Sequence, residues 1–163
     1  MIFVTVGTHH DPFDRLLGAL GALGALGDDL VVQYGPGSPP PGVEHAKAFM
    51  PFDEMLSNFE AADVVVTHAG VGSILCARRE GHVPLVVPRQ HALGEHVDDH
   101  QAELTRALER RGGVIAVWDT AKLADAVASA PPRGSALTVG DPAMCAAVGA
   151  ALRGDPAPQP SPA

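Results

Sequence analysis

The amino-acid sequence predicts an α/β fold, a Rossmann-like, doubly wound parallel sheet covered by helices on both faces. Along residues 1–130, short runs that are almost entirely apolar alternate with segments of helical periodicity. Strands that are apolar throughout are typical of parallel sheets buried on both faces. Strands that alternate with helices are typical of parallel α/β folds.

Each element follows from this pattern in chain order. The predicted strands are residues 2–6, 30–34, 64–67, 85–87 and 114–117, with a short additional strand within 44–49. The first helix should begin at Pro12, with Asp11 as its cap. Its apolar face should be formed by Leu16, Leu17, Leu20, Leu23 and Leu26. Further helices are expected over residues 53–60, 95–111 and 120–127.

The first helix is unusually rich in glycine. Gly18, Gly21 and Gly24 recur at every third position in a Gly-Ala-Leu repeat. Each glycine costs about 1 kcal/mol relative to alanine inside an α-helix. We interpret the repeat as close packing on the sheet or neutral drift, without a chemical role.

The length of 163 residues supports one domain with a single core. Residues 1–130 should form that domain, and residues 131–152 should form a linker and a C-terminal helix that begins at Asp141. Residues 153–163 are rich in proline and carry too little apolar surface to become ordered. They are therefore expected to be a disordered tail.

Composition excludes several functional classes. A formal net charge of −8 argues against a nucleic-acid-binding surface. No segment approaches the roughly 20 apolar residues of a membrane-spanning helix. Residues 1–6 have no basic region before them, so they predict a strand and no signal peptide. Cys76 and Cys145 lack metal or redox spacing, which favours a reduced, cytoplasmic protein.

Two polar loops follow two neighbouring buried strands and should open on the same side of the sheet, where such folds bind ligands. The loop at 67–73 supplies two glycines, His68 and Ser73 at a predicted helix start, where backbone N–H groups favour a phosphate. The loop at 94–101 supplies carboxylates and an amide, which suit sugar hydroxyls and would repel phosphate. The two loops together predict a nucleotide-sugar site.

Other chemistries have less support. Neither a Gly-x-Gly-x-x-Gly motif nor a P-loop motif occurs, which argues against dinucleotide oxidoreductases and P-loop enzymes. His9, in the first strand-to-helix loop, is either a catalytic base or an exposed side chain. His96, Asp99 and His100 have the spacing of one helix face and could form the metal site of a hydrolase. A separate third ligand is not evident, so neither a metal nor a cofactor is expected.

Several segments taken together resemble the C-terminal domain of family 28 glycosyltransferases. The resemblance is to the short one-domain subunits of this family, of the Alg13-like and exopolysaccharide type, and it extends from Met1 to about Val127. The matching segments are residues 4–8, 11–16, 67–73, 87–89 and 94–101.

This resemblance implies the C-terminal, donor-binding half of a GT-B fold and a role for individual residues. The residues expected to bind the diphosphate are Gly7, Thr8, His68, Ala69, Gly70, Gly72 and Ser73. Those expected to bind the nucleoside are Phe49, Arg89 and Glu80. Those expected to bind the sugar are Glu95, His96, Asp99 and Gln101. His9 is the candidate catalytic residue. Where relatives often carry a carboxylate for the ribose this chain has Cys76, and Glu80 lies one helical turn further on.

The expected function is that of a donor-binding catalytic subunit in a two-component glycosyltransferase. It would transfer a sugar from a UDP-linked donor to a lipid-linked or polysaccharide acceptor. A GT-B enzyme needs two Rossmann-like halves, and a single domain of this length supplies only one of them. A membrane-associated, acceptor-binding partner is therefore expected, and it would bring this chain to the membrane surface. The alternative is a non-catalytic module that binds nucleotide sugars through the same loops.

Overall fold

The computed structural model describes residues 1–135 and, for residues 24–28, the backbone only. Within this part of the chain, six strands form a single sheet. They are β1 (Ile2–Thr5), β2 (Leu30–Gln33), β3 (His45–Lys47), β4 (Val64–His68), β5 (Leu85–Val87) and β6 (Ile115–Ala116). All neighbouring strands are parallel, in the order β3-β2-β1-β4-β5-β6. This is the doubly wound order, so the predicted Rossmann-like fold is confirmed.

Helices connect the strands on both faces of the sheet. The α-helices of the described residues are α1 (Asp14–Ala19), α2 (Phe52–Ala61), α3 (Val71–Arg79), α4 (His100–Glu109) and α5 (Leu123–Ala128). Segments of 3-10 helix cover Leu20–Asp29, His91–Leu93 and Thr120–Lys122. None of the helices in residues 1–135 is long and apolar enough to cross a bilayer.

Alternating side chains of β1 enter two separate cores. Val4 is fully buried on one face of the sheet, in a cluster that includes Leu16 of α1 and Leu123 of α5. Phe3 is fully buried on the opposite face, where its ring meets that of Phe59 edge to face at 5.0 Å. The sheet is therefore covered on both sides, which explains its uniformly apolar strands.

The Gly-Ala-Leu repeat forms a 3-10 helix, and the prediction of a long α-helix there is wrong. The α-helix ends at Ala19, and the 3-10 segment continues to Asp29. A 3-10 helix has three residues per turn, so residues three apart, such as Leu20 and Leu23, lie on one face. Accordingly, Leu20 and Leu23 are buried whereas Gly21 is exposed. The three-residue spacing of the repeat thus matches the three residues per turn of the 3-10 helix.

Two predicted helix starts also need correction. The first helix begins at Asp14, with Phe13 as the N-cap residue. Phe13 is fully buried, and the Pro12 carbonyl accepts a hydrogen bond from Arg89. These contacts hold Pro12 and Phe13 in the loop before the helix. The fourth helix begins at His100 and not at residue 95. Residue 95 stays in the loop, because the Glu95 N–H donates to the Gln90 carbonyl and its carboxylate pairs with Arg15.

The described chain ends in a turn that packs against the domain. Gly134 N–H donates to the Gly81 carbonyl at 2.8 Å, and Arg133 Nε donates to the Glu80 carbonyl at 2.7 Å. The helix predicted over 141–152 and the tail predicted over 153–163 lie outside the described residues.

Candidate functional site

The strand order reverses direction between β1 and β4, and a cavity of about 550 Å³ opens at the carboxyl ends of these strands. Such a switch point is where open α/β sheets bind ligands. The lining residues come from the loops after β1 and β4, from β2, from the segment that leads into α2, and from helices α2 and α3. They are Gly7, Thr8, Gln33, Phe49, Met50, Phe52, Met55, Phe59, His68, Gly70, Gly72, Ser73, Leu75 and Cys76.

His68 lies at the centre of the strand ends, enclosed by two glycines. A Cβ atom at Gly7 would lie 2.3 Å from its Cε1, and one at Gly70 would lie 2.1 Å from its Nε2. Gly7 also has a φ of 76°, which side chains other than glycine rarely adopt. The two glycines therefore allow the imidazole to pack directly against the backbone of both loops.

Burial and the nearby charge of Arg89 lower the pKa of His68 from 6.5 to about 4. The imidazole is consequently neutral at physiological pH, with one N–H donor and one acceptor nitrogen. It can donate a hydrogen bond to a phosphate oxygen without adding a charge to the site.

The N-terminus of α3 is open toward the cavity. Its N-cap residue, Gly70, offers no side-chain cap, and a Cβ atom at Gly72 would have nothing within 4 Å. The first N–H groups of an α-helix lack partners within the helix and carry the positive end of its dipole. The backbone at Gly72 and Ser73 can therefore be approached closely by an anion, as the sequence predicts.

Gln33 holds the Gly7 loop in place, a role that sequence reasoning missed. Its Oε1 accepts hydrogen bonds from Thr5 Oγ1 at 2.6 Å and from Gly7 N–H at 3.1 Å. Its Nε2 donates to the carbonyls of Gly7 at 3.0 Å and Ala48 at 2.7 Å. A buried glutamine at the end of an apolar strand was the available signal, because such a group requires partners.

The other end of the cavity is apolar. Phe49, the residue predicted to pack against the nucleobase, lines it and is 55% exposed. Glu80 does not line the cavity, because it follows the last turn of α3 and its carboxylate lies 3.5 Å from Arg133. The structure therefore does not bring Glu80 together with the other predicted nucleoside-binding residues.

Arg89 is also separated from the cavity. Its side chain is fully buried, and its guanidinium lies over the Phe13 ring at 4.5 Å. Its Nη1 donates to the carbonyls of Pro12 at 3.0 Å and Glu95 at 3.3 Å, whereas Nε and Nη2 have no partner. Arg89 thus places a buried positive charge behind the site, where it lowers the pKa values of His68 and His9.

In the second loop, Glu95 is directed into the domain. Its two carboxylate oxygens accept from Arg15 Nε at 2.7 Å and Arg15 Nη2 at 2.9 Å. One of them also accepts from the Gln90 N–H at 3.0 Å. Glu95 is 9% exposed, so its carboxylate braces the loop and is not free for sugar hydroxyls.

Asp99 and Gln101 also make contacts within this loop. Asp99 Oδ1 accepts from the His91 N–H at 3.2 Å, and Gln101 Oε1 accepts from the Arg89 N–H at 3.1 Å. Asp99 is exposed and retains a second carboxylate oxygen. Of the acidic residues predicted to bind sugar, Asp99 is therefore accessible and Glu95 is not.

His9 lies beside the second loop, stacked between two other histidines. Its ring centroid is 4.4 Å from that of His10 and 4.9 Å from that of His96. Burial, the largest cause, and the charge of Arg89 lower the pKa of His9. The imidazole is thus neutral, and its unprotonated nitrogen is Nδ1, which accepts a hydrogen bond from the Asp11 N–H at 3.2 Å. A general base accepts a proton at such a nitrogen.

The metal site considered for a hydrolase is not formed by the described residues. His96 pairs with Asp98 at 3.1 Å, and His100 is a largely exposed side chain near Asp98 and Glu103. The ligand-type side chains that do converge belong to His9, His10 and Asp11, within 4.8 Å. His9 Nδ1 already accepts a hydrogen bond from the Asp11 N–H, which engages that nitrogen within the loop.

The sequence matches the model of the glycosyltransferase family 28 C-terminal domain over residues 1–134. The chain belongs to this family. The match includes β1 to β6 and both polar loops, so the resemblance inferred from the loop motifs is confirmed. The expected resemblance to Alg13-like proteins is also confirmed, because ALG13 subunits are among the curated relatives of this family 28 domain.

Among curated proteins, the family 28 domain is 32% identical over 96 residues to the UDP-N-acetylglucosamine transferase subunit ALG13 of Yarrowia lipolytica, covering 55% of this chain and 47% of that protein. It is 36% identical over 89 residues to the UDP-N-acetylglucosamine--N-acetylmuramyl-(pentapeptide) pyrophosphoryl-undecaprenol N-acetylglucosamine transferase of Ralstonia nicotianae, covering 52% and 23%. The chain therefore spans less than half the length of these relatives.

A solved structure is similar over most of the family 28 domain. It is the glycotransferase of kitacinnamycin, with a TM-score of 0.51 and 25% sequence identity. The similarity covers 93% of this chain and 38% of the other. The chain thus corresponds to one part of a larger glycosyltransferase, in agreement with the predicted half of a GT-B fold.

Proposed function

We propose that this chain is the donor-binding catalytic subunit of a two-component glycosyltransferase that uses a UDP-linked sugar. The observation that carries the proposal is the open N-terminus of α3 beside His68 and Gly7, at the mouth of a cavity large enough for a nucleoside. A diphosphate bound there would accept hydrogen bonds from the backbone N–H groups of Gly72 and Ser73 and from the N–H of the neutral His68 imidazole.

The two ends of the site suit the two ends of the donor. The apolar cavity, with Phe49 at its wall, suits a uracil base, which would pack against carbon-rich side chains. The second loop suits the sugar, because the free oxygen of Asp99 and the amide of Gln101 can bond hydroxyl groups. Two curated relatives carry UDP-N-acetylglucosamine in their names as transferases, which supports a UDP-linked donor.

His9 is the proposed catalytic base. It follows the Gly7-Thr8 turn on the same side of the sheet as the diphosphate loop, and its lowered pKa keeps it unprotonated at neutral pH. An acceptor hydroxyl placed beside the sugar would displace the Asp11 N–H from His9 Nδ1 and transfer its proton to that nitrogen as it attacks the anomeric carbon, and the UDP group would leave.

A membrane-associated partner is proposed to bind the lipid-linked or polysaccharide acceptor, with this chain held in the cytoplasm at the membrane surface. The relative from Yarrowia lipolytica is a transferase subunit, ALG13, which supports this arrangement. The side chains of Leu93 and Val97 are 56% and 71% exposed beside the sugar-binding residues. Exposed apolar side chains of this kind suit a protein interface next to the reacting groups.

Donor binding is tested by calorimetric titration of UDP into the purified chain. Gly72→Leu should abolish binding by blocking the backbone approach of the diphosphate. Gly18→Leu is the matched control, because Gly18 is also a helical glycine with nothing within 4 Å of its Cβ position. Equal UDP affinity in both variants would contradict the proposed diphosphate site.

Catalysis is tested by transfer of radiolabelled sugar from UDP-N-acetylglucosamine to membrane lipid acceptors, with the partner co-expressed. His9→Asn should reduce transfer by about a hundredfold or more while UDP affinity stays within about twofold. His10→Asn, at a neighbouring exposed histidine, should retain transfer. If UDP binds but no partner supports transfer, the chain is a non-catalytic nucleotide-sugar module.

A further inference from the structure

The nucleoside end of the cavity offers no acidic side chain among the described residues that line it. Its walls are formed by Phe49, Met50, Phe52, Met55, Phe59, Leu75 and Cys76. The polar side chains that line the cavity are Thr8, His68, Ser73 and Gln33, and the amide of Gln33 is already bonded to Thr5, Gly7 and Ala48. A pentose placed between the two ends would therefore meet carbon and sulfur atoms along most of this wall.

Helix α3 determines which side chain faces the pentose. Ser73 and Cys76 are three residues apart, so they lie on one face of the helix, and both line the cavity. With the diphosphate at Ser73, the next group of a nucleotide lies one turn along this face, at Cys76. Burial raises the pKa of the Cys76 thiol, which is thus neutral and a weak hydrogen-bond partner.

The carboxylates of Glu54 and Glu80 are engaged elsewhere, and Asp53 at the start of α2 does not line the cavity. Glu54 of α2 accepts from Lys47 Nζ at 2.6 Å, outside the cavity. Glu80, one turn beyond Cys76, lies 3.5 Å from Arg133 Nη2 and does not line the cavity. Neither lines the cavity, so neither carboxylate is placed to accept from a pentose hydroxyl.

We propose that this subsite does not recognise the 2′-hydroxyl of the donor, so that 2′-deoxynucleoside diphosphates bind as tightly as ribonucleoside diphosphates. Cys76 is the residue that sets this tolerance. The inference rests on the proposed donor site, because it assumes that the diphosphate occupies the α3 terminus. It widens the donor class from UDP-linked sugars to sugars linked to 2′-deoxynucleoside diphosphates.

The test compares UDP with 2′-deoxy-UDP, which differ by one hydroxyl group, in calorimetric titrations of the full chain. The expected dissociation constants agree within about threefold. A site that accepted the 2′-hydroxyl on a carboxylate would favour UDP by about tenfold to a hundredfold, and such a preference would overturn the inference. Failure of both nucleotides to bind would instead contradict the proposed donor site itself, and the inference with it.

The role of Cys76 is tested with two substitutions of matched shape. Cys76→Glu should introduce a preference for UDP of about tenfold or more, whereas Cys76→Gln should leave the two nucleotides within a few fold of each other. Equal binding of UDP and 2′-deoxy-UDP in a folded Cys76→Glu variant would show that position 76 does not face the pentose. The comparison in the unmodified chain needs no variant, so it decides the tolerance even if Cys76→Glu fails to fold.

Discussion

Arg15 and Glu95 form a bidentate ion pair that joins the start of the first helix to the second polar loop, across 80 residues of sequence. Arg15 Nη2 also donates to the Pro88 carbonyl at 2.8 Å, at the end of β5. Both side chains are largely buried, with 19% and 10% of their surface exposed. This pair fixes the loop that presents Asp99 and Gln101 to the proposed donor sugar.

Removing one partner of this pair should destabilise the domain. Glu95→Ala leaves the Arg15 guanidinium without its carboxylate in a mostly buried setting, which typically costs about 3 kcal/mol. We expect that loss in the free energy of unfolding measured by urea denaturation. Glu54→Ala, which breaks the exposed pair with Lys47, is the control and should cost under about 1 kcal/mol. Comparable losses in the two variants would mean that Glu95 has no bracing role.

Substitution by alanine should lower the stability of the fold at Gly70 but not at Gly72, two glycines of the diphosphate loop. Gly70→Ala places a Cβ atom 2.1 Å from His68 Nε2, so the imidazole must shift, at a cost of about 1 to 3 kcal/mol. Gly72→Ala meets nothing within 4 Å and lies in a helix, so the fold should keep its stability. Thermal unfolding of both variants checks this, and a stable Gly70→Ala protein would contradict the packing described for His68.

The low pKa of His68 predicts a loss of stability in acid. Folding lowers this pKa from 6.5 to about 4, so between these values the unfolded chain binds the proton more tightly. The stabilising contribution is complete above pH 6.5 and is lost as the pH falls toward 4. Its size is about 3 kcal/mol.

This pH dependence is measured as the difference between the unmodified chain and His68→Asn in urea denaturation from pH 7 to pH 4. The variant should lose less stability than the unmodified chain over this range. His100→Asn, at a histidine whose side chain is 81% exposed, should follow the unmodified chain. Parallel curves for the unmodified chain and His68→Asn would show that the imidazole titrates normally.

Asp99 should distinguish the donor sugar from the nucleotide. Asp99→Ala removes the exposed carboxylate and should weaken binding of UDP-N-acetylglucosamine by about tenfold, with UDP affinity unchanged within about twofold. Asp99→Asn retains an oxygen that can accept from the His91 N–H, so it controls for loop geometry. Equal losses for both ligands in Asp99→Ala would indicate that this residue supports the loop and does not bind the sugar.

The sequence by itself determined the class of sheet and the location of the site. Strands that are apolar at every position require cover on both faces, and alternation with helices makes them parallel. The carboxyl ends of such strands share one edge, so the loops at 67–73 and 94–101 had to open on the same side. Local turn and helix-start chemistry was enough to predict a phosphate-binding loop at His68 and Gly72, and phosphate binding there stays a prediction.

Only the tertiary structure decided which polar side chains face the ligand and which hold the fold. Arg89 and Glu95 look like ligand contacts in the sequence, but Arg89 lies buried over the Phe13 ring and Glu95 pairs with Arg15. Gln33 holds the loop at Gly7, 26 residues away in the sequence, by a hydrogen bond that only the tertiary structure shows. Residue type and local spacing describe what a side chain can bond. Long-range packing decides which partner it meets, because burying a charge or amide is favourable only where another segment supplies its hydrogen bonds.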